Sequence, residues 1–237
     1  MTANQAIEPR DRIIVALDTP SVDEARGLVR QLEGSVSFFK IGLELAMQGG
    51  LSFADELVGR GHRVFLDMKF LDIGNTVERA VANVAKTGVS FLTIHGTDRK
   101  TMKAAAAGAA GSPLRLLAVT VLTNLSADDL TDQGISGFSP EELVVHRTRL
   151  AKEAGLAGVI ASGQEAANVR QAAGDDFLIV TPGIRLPSDD AGDQARVTTP
   201  AQAIGDGADY LVVGRPITRA ADVGAAAQAI ADDISRA

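Results

Sequence analysis

Eight short apolar, β-branched runs recur along the chain: RIIVALD (12–18), SFFKIG (37–42), RVFLDMKF (63–70), FLTIHG (91–96), RLLAVTVLT (115–123), AGVIAS (157–162), FLIVTPGI (177–184) and YLVVGR (210–215). Near-continuous apolarity, in place of strict alternation, is the pattern of parallel strands covered on both faces. Between the runs lie Ala-, Glu- and Leu-rich segments with helix-start signals: Ser21 with Glu24, and Ser139 with Pro140 and Glu142. KAAAAGAAG (103–111) could be low-complexity sequence, but it fills the fourth helix slot and Ala is the best helix former. Eight strand-helix units in 237 residues, with no Pro- or Ser-rich linker between halves, predict an α/β protein built as a closed, eight-stranded parallel β/α (TIM) barrel. One domain is expected over residues 1–237, with 1–11 as an N-terminal extension.

A formal net charge of −7 argues against nucleic acid or an anionic membrane as partner, since either calls for clustered Lys and Arg. Anionic small molecules stay open, because a local pocket can oppose the global sign. With no cysteine, disulfides, thiolate chemistry and Cys-ligated zinc are excluded. MTANQAIEPRDR at the start lacks the apolar core of a signal peptide, and no run approaches the ~18 apolar residues of a membrane span. A cytoplasmic protein is expected.

In a β/α barrel the working groups sit at the carboxyl ends of the strands. Asp18 ends the first run, Lys40 lies near the end of the second, Asp67 and Lys69 end the third, and Thr123 ends the fifth. Residues two apart on a strand share a face, so Asp67 and Lys69 should face the mouth while Leu66 and Met68 pack under helices. Asp72 falls on the following loop, able to turn into its own mouth or outward to a neighbour.

An isolated Asp-x-Lys reads most simply as a surface ion pair worth ~0–1 kcal/mol. Lys40, Asp67, Lys69 and Asp72 together, on consecutive strand ends, point instead to a site whose alternating charges hold one another ionised. A metal is the competing explanation for clustered carboxylates. Two interleaved ammonium groups speak against it, and magnesium binds through only one or two carboxylates.

The loops after strands seven and eight are the recurrent phosphate site of this architecture. Here they read TPGIR and VGRPI, offering the turn at Pro182–Gly183, a compact Gly214 and the guanidinium fork of Arg215. The polar stretch RLPSDDAGDQARVTTP (185–200) is long for such a connection and reads as a lid, with disorder as the alternative. Gln194 would close over the phosphate. His62 and His146 read as solvated or structural, His95 as a structural imidazole or a site group, and Ser162 with Gly163 as a helix cap or a ligand contact.

From about Asp11 onward the chain resembles the orotidine 5′-phosphate decarboxylase family: LDMKFLDIGNT matches its Asp-x-Lys-x-x-Asp-Ile-x-x-Thr signature, with VALD, FFKIGLEL, VTVLTN, TPGIR and VVGRPI in the family's order. The resemblance implies a homodimeric, cofactor-free barrel that needs no metal. It implies that Asp18 and Lys40 bind ribose hydroxyls, that Asp67 lies beside the substrate carboxylate and that Lys69 donates the proton. Asp72, Ile73 and Thr76 would belong to a loop shared across the dimer, with Asp72 and Thr76 completing the partner's site. Thr123 would contact the pyrimidine, Gln194, Gly214 and Arg215 the phosphate, and Arg185 the base of the lid. Magnesium-dependent sugar-phosphate decarboxylases and synthases of the same superfamily are the alternative; they carry an acidic residue where this chain has Lys40.

Overall fold

The structure, a computed structural model, describes residues 7–186 and 198–237. Its eight strands are β1 (Ile13–Ala16), β2 (Phe38–Ile41), β3 (Arg63–Phe70), β4 (Phe91–His95), β5 (Arg115–Val119), β6 (Gly158–Ile160), β7 (Leu178–Thr181) and β8 (Tyr210–Val213). Every neighbouring pair is parallel, and β1 closes the barrel against β8 with Ile13 opposite Leu211. The closed barrel expected from the eight runs is the fold observed.

Two apolar layers follow from the pleat. Inside lie Ile14, Phe38, Phe65, Phe91, Leu117, Val180 and Val212, with Phe38 and Phe91 packed edge to face at 5.0 Å. Arg63 covers the Phe38 ring at 4.6 Å. The alternate residues Val15, Phe39, Leu66, Leu92 and Leu116 face outward into the larger core beneath the helices. Each such buried side chain contributes roughly 1.5–3 kcal/mol.

The helix-start signals act as read. Helix α1 (Val22–Gln31) is capped by Ser21, whose hydroxyl accepts the Glu24 N–H at 3.2 Å. Ser139 and Glu142 form a reciprocal capping box on the long helix Pro140–Glu153. The Ala-rich segment forms the helix Arg99–Ala109, which packs against the helix Gly74–Val84 so closely that a Cβ on Gly108 would sit 2.3 Å from the Glu78 carbonyl oxygen. Small residues there are a packing requirement.

Two strands end earlier than their apolar runs. β1 stops at Ala16 and β5 at Val119, so Asp18 and Thr123 lie on loops beyond the ladder. After Val119 the ladder groups find other partners: the Thr120 hydroxyl donates to the Ile160 carbonyl at 2.9 Å, and Arg147 donates to the Thr120 carbonyl at 2.5 Å. Among the described residues no helix is long and apolar enough to cross a membrane.

Candidate active site

Three strands repeat one local pattern. Phe38 precedes Lys40 by two residues, Phe65 precedes Asp67, and Phe91 precedes Thr93. Because the pleat has period two, each interior aromatic is followed on the same face by a polar group nearer the carboxyl end. The result is a polar tier above an aromatic one.

At the centre is Asp67. Its Oδ1 receives Lys69 Nζ at 2.8 Å and the Thr93 hydroxyl at 2.9 Å, while its Oδ2 faces Lys40 Nζ at 3.6 Å. Lys40, whose side chain is only 8% exposed, also reaches Asp18 Oδ1 at 3.0 Å. Burial alone would push the Asp67 carboxyl upward. The ammonium groups of Lys40 and Lys69, with hydrogen bonds from Lys69 and Thr93, outweigh it and hold the group below the ordinary aspartate value. A Cβ on Gly42 would lie 3.0 Å from both Asp18 Oδ1 and Lys40 Nζ, so glycine there makes room for this pair.

Asp67 and Lys69 do share the mouth, but not through a regular pleat. Leu66 pairs with Leu92 and Phe70 with Ile94, so the register of β3 against β4 shifts between them. Lys69 carries φ +51°, the single non-glycine residue in the left-handed region among those described. A bulge of this kind re-aims side chains at the cost of local strain, on the order of 1–3 kcal/mol. Met68, on the opposite side, packs against the outer core as expected.

A cavity of about 480 Å³ opens at this end of the barrel. It is lined by Asp18, Lys40, Asp67, Lys69 and Thr123, and by Pro182, Gly183, Arg185, Gly214 and Arg215 from the segments after β7 and β8. Lysines and arginines thus line the same cavity. At Gly214, φ is −105° and a Cβ would meet only Ala16 Cβ at 3.7 Å, so crowding within the chain does not demand glycine there.

Asp72, Ile73 and Thr76 do not line this cavity. All three are exposed; the Asp72 carboxylate accepts the Ile73 N–H at 2.6 Å, and Thr76 lies in the first turn of the helix that Ile73 caps. Gln194 lies outside the described residues. His95 ends β4, where burial and then the charges of Lys69 and Arg147 push its imidazole below the ordinary value. His62 packs edge-on to Phe39 at 5.2 Å and His146 lies against Phe138. The Ser162 N–H is capped by Glu165 at 3.0 Å. Among the described residues no group of three or more His, Cys, Asp or Glu could hold a metal ion. Reading the sequence missed Thr93 and Gly42, which shape the charged group, and the polar cavity residues Glu44, Thr218 and Arg219.

Residues 11–230 match the family described as orotidine 5′-phosphate decarboxylase / HUMPS. The chain is 53% identical over 231 residues to the orotidine 5′-phosphate decarboxylase of Bradyrhizobium sp. (strain ORS 278), covering 98% of this chain and 94% of that one. It is 51% identical to the enzyme of the same name from Afipia carboxidovorans, covering 96% of each. The crystal structure of orotidine 5′-phosphate decarboxylase from Lactobacillus acidophilus superimposes with a TM-score of 0.83 at 37% identity, over 94% of this chain and 98% of that one.

Proposed function

The chain belongs to the orotidine 5′-phosphate decarboxylase / HUMPS family, and from that membership we propose that it converts orotidine 5′-phosphate to UMP and carbon dioxide, the last step of de novo pyrimidine nucleotide synthesis. It is a carboxy-lyase. The observation that carries this reading is the ammonium of Lys69, held 2.8 Å from Asp67 at the mouth of a cavity that Arg185 and Arg215 also line.

The bond from C6 to the carboxylate breaks, and its electron pair stays in the ring plane, where the pyrimidine π system cannot accept it. A fixed ammonium answers this twice. It opposes the developing charge at C6, and it then gives C6 its proton. Asp67 and, across a dimer, Asp72 hold that ammonium in place. Asp67 also crowds the departing carboxylate, a secondary contribution in this account.

Asp18 and Lys40 bind the ribose hydroxyls, Thr123 contacts the pyrimidine, and Gly214, Arg215 and Gln194 bind the phosphate, with Arg185 at the base of a lid over 185–200. Binding energy from the remote phosphate is then available to close the site around the reacting carbon. The freedom from crowding at Gly214 supports a ligand as the reason for glycine there.

The partner is a second copy of the chain. Leu43, Met47, Leu51, Leu71 and Ile73 are 52–77% exposed around the same end of β2 and β3, an apolar surface that a dimer would cover. Asp72, Ile73 and Thr76 would then enter the neighbouring site. The enzyme would act in the cytoplasm, without nucleic acid, membrane or metal. Lys40 Nζ stands 3.0 Å from Asp18 and 3.6 Å from Asp67, in the place a divalent cation bridging those carboxylates would take.

The test is an absorbance assay with orotidine 5′-phosphate, with and without EDTA. Turnover unaffected by EDTA is expected. No turnover contradicts the assignment, and loss of turnover with EDTA points to the magnesium-dependent chemistry of the superfamily.

A further inference from the structure

Between the pairs Leu66/Leu92 and Phe70/Ile94, β3 supplies Asp67, Met68 and Lys69 where β4 supplies one residue, Thr93. Thr93 is fully buried, and its hydroxyl touches both ends of the bulge. It accepts the Lys69 backbone N–H at 3.0 Å and donates to Asp67 Oδ1 at 2.9 Å. Its direction is fixed, because an N–H can only donate and an ionised carboxylate can only accept.

We propose that Thr93 is a positioning residue for the reaction, its hydroxyl locking the bulge so that the Lys69 ammonium and the Asp67 carboxylate are held in one arrangement before substrate arrives. The Lys69 N–H would otherwise be a backbone donor without a ladder partner, at a residue already in the left-handed region. Without that bond the backbone of Lys69 is free to relax toward an ordinary conformation, and the side chain moves with it. The donor half of the hydroxyl fixes which way Asp67 Oδ1 points, and Oδ1 is the oxygen that receives Lys69 Nζ. Backbone and side chain of the lysine are thus tied, by two routes, to one oxygen on the neighbouring strand.

The inference rests on the roles proposed above for Asp67 and Lys69. Thr93 itself does not line the cavity, so it acts through those two residues and should set kcat while leaving nucleotide binding nearly unchanged. Displacing a proton donor by a fraction of an ångström is enough to lower a rate about tenfold to a hundredfold.

Thr93→Val keeps the shape and removes the hydroxyl; Thr93→Ser keeps the hydroxyl. Steady-state kcat and KM, UMP affinity and thermal midpoint are measured for both, beside Lys69→Ala. The expected result is a kcat about tenfold or more below the parent for the Val variant, UMP affinity within about threefold, and a Ser variant within about threefold of the parent. Should the Val variant not fold, Thr93→Ala against Thr93→Ser gives the same comparison at equal size. Parent-like kcat without the hydroxyl, or equal losses with and without it, overturns the proposal. If Lys69→Ala is inactive while the Val variant is parent-like, only the role of Thr93 falls; if Lys69→Ala keeps full turnover, the reading of the site falls first.

Discussion

Lys69 Nζ lies 2.8 Å from Asp67 Oδ1, and it does so from a backbone held at φ +51°. A lysine in the left-handed region is stabilised by nothing local, so the surrounding strands must hold it there. Thr93 on β4 supplies that restraint by accepting the Lys69 N–H, while Lys40 on β2 faces Asp67, the partner of the Lys69 ammonium, from the other side of β3. The strain therefore coincides with the group to which the proton transfer is assigned.

Replacing that group should be nearly fatal to turnover and mild for binding. Lys69→Ala is expected to lower kcat by at least about 10⁴-fold, since both the charge and the acid are lost. UMP should still bind, because the groups assigned to ribose and phosphate remain. Calorimetric titration with UMP beside the decarboxylation assay separates the two effects, and retained turnover would remove Lys69 from the acid role.

Just after β8, Arg215→Ala should leave the fold intact, because Arg215 is exposed at the start of a short helix. A charge-assisted hydrogen bond to phosphate contributes roughly 1.5–3 kcal/mol, so each one lost should lower kcat/KM about tenfold to a hundredfold. Unchanged kcat/KM with orotidine 5′-phosphate would refute the phosphate assignment.

Asp72 is exposed and does not line the cavity of its own chain, which makes complementation a direct test of a shared site. Lys69→Ala and Asp72→Asn variants, each expected to be inactive, are mixed and the proposed dimers allowed to exchange subunits. Random pairing gives half heterodimers, each with one intact site, so about a quarter of the parent activity should return. No recovery despite demonstrated exchange would place every catalytic group within one chain.

Stability should fall on acidification in two stages. Burial, then Arg60, holds His62 below the ordinary imidazole value, and burial, then Lys69 and Arg147, does the same for His95. The unfolded chain therefore binds more protons as pH falls through about 6.5, and the folded state loses stability from there downward. Asp67, also held low, contributes stability that is full above about 3.9 and is lost only as pH drops further. Differential scanning calorimetry should show Tm declining from pH 7 to 5, with a shallower decline in His62→Gln. An identical slope in that variant would exclude His62 as a source.

Much of this was readable from the chain alone. The barrel follows from eight apolar runs, the caps at Ser21 and Ser139 from local hydrogen-bonding chemistry, and the charged mouth from Lys40, Asp67 and Lys69 at successive strand ends. The bulge was not, because it arises from pairing between strands and not from any local preference in RVFLDMKF. Thr93 stands 24 residues from Lys69, and no local signal joins them. One pattern did bear on it: FFK, FLD and FLT repeat an aromatic followed two residues later by a polar side chain, which places Thr93 in the same tier as Lys40 and Asp67. Loop positions such as Asp18 and Thr123 were assigned to strand ends because apolar runs continue past the point where ladder bonds stop.

The central claim is that the ammonium of Lys69 meets the electron pair left on C6. A crystal structure of the enzyme with UMP bound tests it most directly. The account predicts Lys69 Nζ within about 3–3.5 Å of C6, with Asp67 still in contact with it. A pyrimidine bound with C6 far from that nitrogen, or with another donor in its place, would contradict it.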